Sequence, residues 1–406
     1  MKQSNQPVIV VVAFDRPKAL KRLLGSLSTI RTDRSPELLI SIDNAGEASN
    51  EVEAIARSFE WPWEMSVVRL KENLGLKAHV MQCAGLSQKF GSVIILEDDL
   101  LVAPAFYDRA VELLDRYEDE PSVAGISLYT YGYCESNGLP FQPIKGNGDV
   151  HLMHQVSSWG QAWTAKQWSG FTQWTENQPP DRLNPNLPPN VSSWPISSWK
   201  KHFIDYVVSN EMFIVFPFTS LTSNCGDRGT HFSRKYDLFR TSLDMGLTPL
   251  NLPPLNKVTI RYDIYHELLP SVIKQHNPDL EPFEFDVDIN GSKPLNILRS
   301  PYTITSRSCS RFERSFGDEL KPLELNVLQN IEGNRIRLVR REDLHEDPDA
   351  KLEWYRTADQ TPRWVHDALG TPMKERIATW SSQATRSTLA NRVLLTMVRT
   401  FLRPRR

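Results

Sequence analysis

Four short apolar runs in the first hundred residues constrain this chain more than any other feature. They are Val8–Ala13, Leu38–Ile42, 65–70 and 93–96, rich in Val, Ile and Leu. Between them lie helix-like stretches. One carries Leu20, Leu23, Leu24 and Leu27 on a single face, with Asp15 placed to cap it and Pro17 in its first turn. Others span 51–59 and 76–90, and a further helix is expected over 104–117. Runs that are apolar on both faces and separated by helices imply a mostly parallel sheet covered on both sides. The expected class is therefore α/β and Rossmann-like.

Beyond that point the pattern changes. Residues 129–200 are rich in Trp, Pro, Gly, Asn and Ser and read as long loops over a shallow platform, broken by a helix near 165–174. Residues 177–189 are dense in Pro and Asn, as in a surface loop. The stretch 245–300 is punctuated by proline, and the remainder to 385 carries no recognisable motif. The expected organisation is a domain over 1–244, with a donor half about 7–125 and an acceptor half about 126–244. An α-rich or mixed extension follows over 245–385, then a tail over 386–406. In that tail Ala390, Val393, Leu394, Met397, Val398 and Phe401 share one helical face, and the rest is arginine-rich. Such a helix suits an anionic membrane surface, or else packs on the domain with its arginines solvated.

Composition removes several function classes. A formal net charge of −2 offers no global field for nucleic acid. Cys83, Cys134, Cys225 and Cys309 are widely spaced with no CxxC pair, which argues against a disulfide framework or zinc knuckle and fits a reducing compartment. No run reaches the roughly 18 apolar residues of a membrane span, and the first residues do not form a signal peptide. The expected location is cytoplasmic, with peripheral attachment to the inner membrane face through the tail.

The strongest chemical signal is VIILEDDLLVAPAF at 93–106, where an apolar strand delivers Glu97, Asp98 and Asp99 at its carboxyl end. Open parallel sheets bind ligands at that edge. Adjacent acids repel one another and are desolvated by the strand, so a counter-cation relieves both costs. Mn²⁺ or Mg²⁺ takes one or two carboxylates and leaves positions for phosphate oxygens. The plainer alternative is a solvated acidic turn. Arg16 and Asp43 close the first two strands. A guanidinium fork there suits phosphate, and a carboxylate suits a base or ribose, although either residue also serves as a cap or turn.

The succession VVAFDRP, SIDNAG, ENLGLKAHV and VIILEDDLLVAPAF resembles glycosyltransferases of the GT-A fold, over roughly residues 7–235. It is most similar to the N-acetylglucosaminyltransferase I-like group and to bacterial family 2 enzymes. The resemblance implies inverting, metal-dependent transfer from a nucleotide-diphosphate sugar, a UDP-sugar being favoured. The acceptor would be a hydroxyl of a glycan or lipid-linked molecule, in bacterial surface-glycan synthesis. It implies that Asp43 contacts the base, Arg16 the diphosphate, and Glu97 and Asp98 the sugar and ribose. Asp99 would be the metal ligand, with Asn73 beside the pocket. The segment holding Trp159 and Gly160 would form the sugar and acceptor floor, and His231 would approach the diphosphate or metal.

One departure matters. The resembled group carries an acid, the general base, in a Trp-containing segment that here reads WPISSWKK at 194–201. Asp181, Asp205, Glu211 and Asp227 are the remaining candidates for deprotonating an acceptor. A catalytically silent nucleotide-sugar binder is therefore one alternative. A sugar-phosphate nucleotidyltransferase is another, although AFDRPKAL lacks the glycine-rich phosphate loop of that class. The same lack of a G-x-G-x-x-G after the first strand disfavours a dehydrogenase or methyltransferase.

Overall fold

The computed structural model describes residues 4–179, 182–227 and 237–346. These fall into two units, one of 4–132 with 142–272 and one of 133–141 with 273–346. Asp181, His231 and the tail over 386–406 lie outside the described residues.

The first unit holds eleven strands: β1 (Val8–Ala13), β2 (Leu38–Ile42), β3 (Met65–Arg69), β4 (Ser92–Glu97), β5 (Leu100–Val102), β6 (Val123–Ser127), β7 (Val150–Met153), β8 (Gln161–Thr164), β9 (Phe213–Pro217), β10 (Thr222–Asn224) and β11 (Arg261–Tyr262). Nine of them form one sheet in the order β11-β7-β9-β6-β8-β4-β1-β2-β3, and β5 pairs with β10 beside it. The β4-β1-β2-β3 half is wholly parallel, whereas β8 runs antiparallel to both β4 and β6. This is the α/β, mostly parallel, helix-flanked arrangement expected of a GT-A fold.

The helices are α1 (Pro17–Leu27), α2 (Ala48–Ser58), α3 (Gly75–Gly85), α4 (Ser87–Phe90), α5 (Phe106–Tyr117), α6 (Ala165–Glu176), α7 (Pro189–Ser192) and α8 (Trp199–Ser209). All six residues of β1 are buried because strands flank it on both sides and helices cover both faces. Leu20, Leu23, Leu24 and Leu27 of α1 are buried as their spacing predicts, each contributing about 2 kcal/mol. At the edge, β3 alternates half-buried and exposed residues, so its pattern is weaker.

Three expectations are corrected. Asp15 does not cap α1: Arg16 occupies the cap position without a side-chain bond, and Pro17 supplies the start. The helix expected over 76–90 is two helices, since the Leu86 N–H bonds to Cys83 O and tightens the turn after Gly85. The stretch 129–200 is more than loops, because β7 and β8 enter the central sheet from it. Four-residue strands such as QAWT are too short for period-two alternation to announce. Trp163, Trp168 and Trp199 from this stretch are core, packed with Phe203.

The second unit carries a sheet of β12 (Phe285–Asp288), β13 (Tyr302–Thr305), β14 (Arg314–Phe316) and β15 (Ile336–Arg340), ordered β12-β13-β15-β14 with mixed directions. Its buried ion pair joins Arg307 Nε to Asp288 Oδ2 at 2.7 Å. Among the described residues, no helix is long and apolar enough to cross a membrane.

Candidate functional site

Strand register brings the cationic and acidic segments together. Val12 of β1 pairs with Glu97 of β4, so Arg16 and the two acids after Glu97 leave adjacent parallel strands at the same edge. The chain turns at Asp98 and Asp99 into β5, and the Cys225 N–H, just past β10, donates to Asp99 O at 3.0 Å. That turn holds both carboxylates indoors: Asp98 is 1% exposed and Asp99 7%.

Arg16 grips both acids. Its Nη1 donates to Asp99 Oδ2 at 2.8 Å, and its Nη2 donates to Asp98 Oδ1. Burial works against the guanidinium charge, but Asp98, then Asp99 and Glu97, outweigh it and hold its pKa above the ordinary arginine value. Three acids share this one guanidinium. Burial, and then Asp99, push Glu97 up to about 8 against the pull of Arg16. Burial likewise pushes Asp98 up to about 7, again against Arg16. Asp98 Oδ2 and Asp99 Oδ1 are buried and have no hydrogen-bond partner among the described residues.

Unpartnered hard oxygens on two buried carboxylates fit an ion such as Mg²⁺ or Mn²⁺, which takes few protein ligands and fills its shell with water and phosphate. They do not suit a metal needing an all-protein cage, since no group of three or more His, Cys, Asp or Glu forms such a set among the described residues.

Asp43 lies at the same edge, beyond β2, and is buried. Its Oδ1 accepts the Asn44 and Leu74 N–H groups and its Oδ2 the Gly75 N–H, all at 2.9 Å. Asn73 Oδ1 also accepts the Gly75 N–H at 2.9 Å. Asp43 and Asn73 therefore pin the start of α3 to the rim of the sheet. Gly75 has φ 75°, a left-handed backbone that suits glycine at this join.

Trp159 is buried against Tyr129, Tyr131 and Phe239. Gly160, at φ 93°, lets the chain pass Thr222, whose Oγ1 donates to Trp159 O at 2.6 Å. A Cβ on Gly160 would lie 2.8 Å from the Thr222 side chain. The Trp159 and Gly160 segment is thus locked to β10, and through it to β5 and the acidic turn.

Of the other acids, Asp227 stays by the acidic turn, since its charge and that of Asp99 both act on Cys225. Asp205 Oδ1 accepts from the Asn184 N–H at 3.0 Å and the Ser209 hydroxyl at 3.1 Å. Asp227 is ion-paired with Arg22 of α1. Glu211 precedes β9, which starts level with Val123 at the amino edge of the sheet, the end opposite Glu97.

Lys200 is a buried cation acting on Glu97 that sequence reasoning passed over. Treated only as part of a segment without an acid, it is 8% exposed on α8. Its Nζ donates to Tyr131 Oη at 3.1 Å and lies 5.3 to 5.7 Å from the Tyr131, Trp159 and Trp194 rings. Its charge also acts to lower the Glu97 pKa. The available signal was its position in the first turn of a helix whose neighbours Trp199, Phe203 and Ile204 are core residues.

No family model matches this chain, and no curated protein matches it. Solved structures do. A mannosyltransferase from Pyrobaculum calidifontis, in complex with GDP-Man and Mn²⁺, matches with TM-score 0.37 and 14% identity, over 56% of this chain and 61% of that one. S. aureus TarS 1-349 matches with TM-score 0.35 and 12% identity, over 53% of this chain and 59% of that one. GalNAc-T7 with UDP, GalNAc and Mn²⁺ matches with TM-score 0.36 and 14% identity, over 53% of this chain and 43% of that one. The chain covers less than two thirds of the length of each.

Proposed function

We propose that this protein transfers a sugar from a nucleotide-diphosphate sugar to a hydroxyl acceptor, with inversion at the anomeric carbon. The observation that carries the reading is the acidic turn at the carboxyl edge: two buried carboxylates, each with one oxygen bound by Arg16 and one without a partner among the described residues. Such an edge, where α1 and α3 also begin, is where an open α/β sheet receives a nucleotide. Asp98 and Asp99 would hold a divalent metal. That metal supplies neutralisation of the diphosphate as it leaves.

Arg16 has two roles in this reading. Without donor it is the counter-charge to Asp98 and Asp99 indoors. With donor, its fork would turn from the two carboxylates to the diphosphate, as Arg16 stands at the cap of α1 on the same edge. Asp43 orients the base side by fixing α3, and Glu97 faces the sugar. The half of the unit carrying Trp159 and Lys200 then forms the acceptor side. We assign the donor half to about 7–125, the acceptor half to about 126–244, an accessory role to 245–385, and membrane attachment to 386–406.

The test is release of nucleoside diphosphate from a panel of UDP- and GDP-sugars with Mn²⁺. Wild-type protein turns over at least one donor, and Asp99→Ala loses the activity. Equal turnover by both proteins would remove Asp99 from the reaction.

A second reading has its own observation. Both Asp205 and Asp227 already have partners, and 194–201 lacks an acid. A protein that binds the donor and transfers nothing would show the thermal shift described below with no diphosphate release.

A further inference from the structure

A second cleft opens in the first unit, between α3 and α8, with a volume of about 130 Å³. Lys77, Arg182 and His202 line it, with Trp174 and Ile196 as apolar walls and Asp205 at its border. Lys77 Nζ donates to Ile196 O at 3.1 Å, and His202 Nε2 donates to the same carbonyl at 2.9 Å. One neutral carbonyl oxygen therefore accepts from both Lys77 and His202, with Arg182 beside them. The carboxylate present is Asp205, whose Oδ1 accepts from the Asn184 N–H and the Ser209 hydroxyl and whose charge acts to raise the His202 pKa. Burial lowers the Lys77 pKa. Burial also lowers that of His202, and Lys77 and Lys201 add to the effect against the Ile196 carbonyl.

The cleft's position gives it a use. Lys77 sits on α3, whose start is pinned to Asp43 at the carboxyl rim. His202 lies two residues after Lys200 on α8. We propose that this cleft binds an oxyanion, carboxylate or phosphate, carried on a sugar ring of the acceptor. Lys77, Arg182 and His202 hold the charge and Trp174 faces the ring. Aromatic rings stack on the apolar face of a sugar, and guanidinium and ammonium groups pair with either oxyanion. The inference rests on the transferase reading above and adds to it the substrate class: an acidic glycan, as opposed to a neutral one.

The test uses the full chain and four titrations followed by calorimetry: glucuronate, glucose 6-phosphate, glucose, and a nucleotide-sugar with Mn²⁺. At least one acidic sugar binds more tightly than glucose, and which one binds separates a carboxylate acceptor from a phosphorylated one. The double variant Lys77→Gln/Arg182→Gln weakens that binding by about tenfold or more, since each charged hydrogen bond lost is worth a kcal/mol or more. Its nucleotide-sugar affinity stays that of the wild type, which also shows that it folds. Binding of glucose as tight as that of both acidic sugars, or unchanged affinity in the double variant, overturns the proposal. Loss of nucleotide-sugar binding in the wild type would instead strike the donor site, so the two failures are distinct.

Discussion

Arg16 reaches across from β1 to place Nη1 2.8 Å from Asp99 Oδ2, so an arginine holds one of the two buried carboxylates of the acidic turn. The guanidinium and a divalent ion serve the same buried negative charge. Each is predicted to substitute for part of the other's effect on stability.

Arg16→Gln removes the counter-charge while keeping a hydrogen-bonding side chain. In metal-free buffer the variant is expected to lose about 2 kcal/mol of stability, as buried carboxylates are left with less compensation. Millimolar Mn²⁺ recovers much of that loss, and recovers less in the wild type. Urea unfolding with chelator and with Mn²⁺ checks this. A variant equally destabilised in both buffers would mean that Arg16 only packs.

Gly160 is constrained twice, by its φ of 93° and by the approach of Thr222. Gly160→Ala is expected to cost roughly 2 to 3 kcal/mol, from a disfavoured backbone region and a forced shift of the Thr222 side chain. The double variant Gly160→Ala/Thr222→Ser recovers part of that, because it removes the methyl group in contact. Full stability in the single variant would show that the turn relaxes freely.

His151 is wholly buried in β7, stacked on Phe216, and both ring nitrogens lack a hydrogen-bond partner among the described residues. Burial pushes its pKa down to about 3. The folded state therefore holds the ring neutral, while the unfolded chain takes up a proton below about pH 6.5. The resulting contribution is present above pH 6.5 and is lost as pH falls towards 3, with a slope of up to about 1.4 kcal/mol per pH unit. His151→Phe keeps the stacked ring and removes the titration. Unfolding at pH 7.5 and pH 5 should show a smaller acid loss in the variant than in the wild type. Identical losses would mean that His151 is protonated in the folded protein.

Much of residues 7–125 was legible because β1, β2 and β4 are buried on both faces. Val8–Ala13 and Leu38–Ile42 coincide with β1 and β2 to the residue, since a six- or five-residue apolar run between turn residues has few other uses. The Arg16 and acidic-turn juxtaposition followed from parallel register alone. Residues 126–244 resisted for a physical reason. β7 and β8 are four residues long, buried throughout, and stabilised by pairing with strands distant in sequence, which no local pattern encodes. Lys200 resisted for another. A buried lysine is compensated by Tyr131 and by aromatic faces that only the fold assembles. Asp43 and Asn73 show the opposite limit, because a carboxylate that caps a helix and one that meets a nucleoside look alike in sequence.

The acidic turn carries the account, and nucleotide-sugar binding in the presence and absence of Mn²⁺ tests it most directly. Thermal unfolding of the wild type and of Asp99→Ala is followed against a panel of nucleotide-sugars. At 100 times its dissociation constant, a true donor adds roughly 2.7 kcal/mol of stability. The account predicts such a shift for at least one nucleotide-sugar, larger with Mn²⁺ than without, with the metal-dependent part absent in Asp99→Ala. The absence of a shift with every nucleotide-sugar, or a shift indifferent to both Mn²⁺ and Asp99, would contradict it.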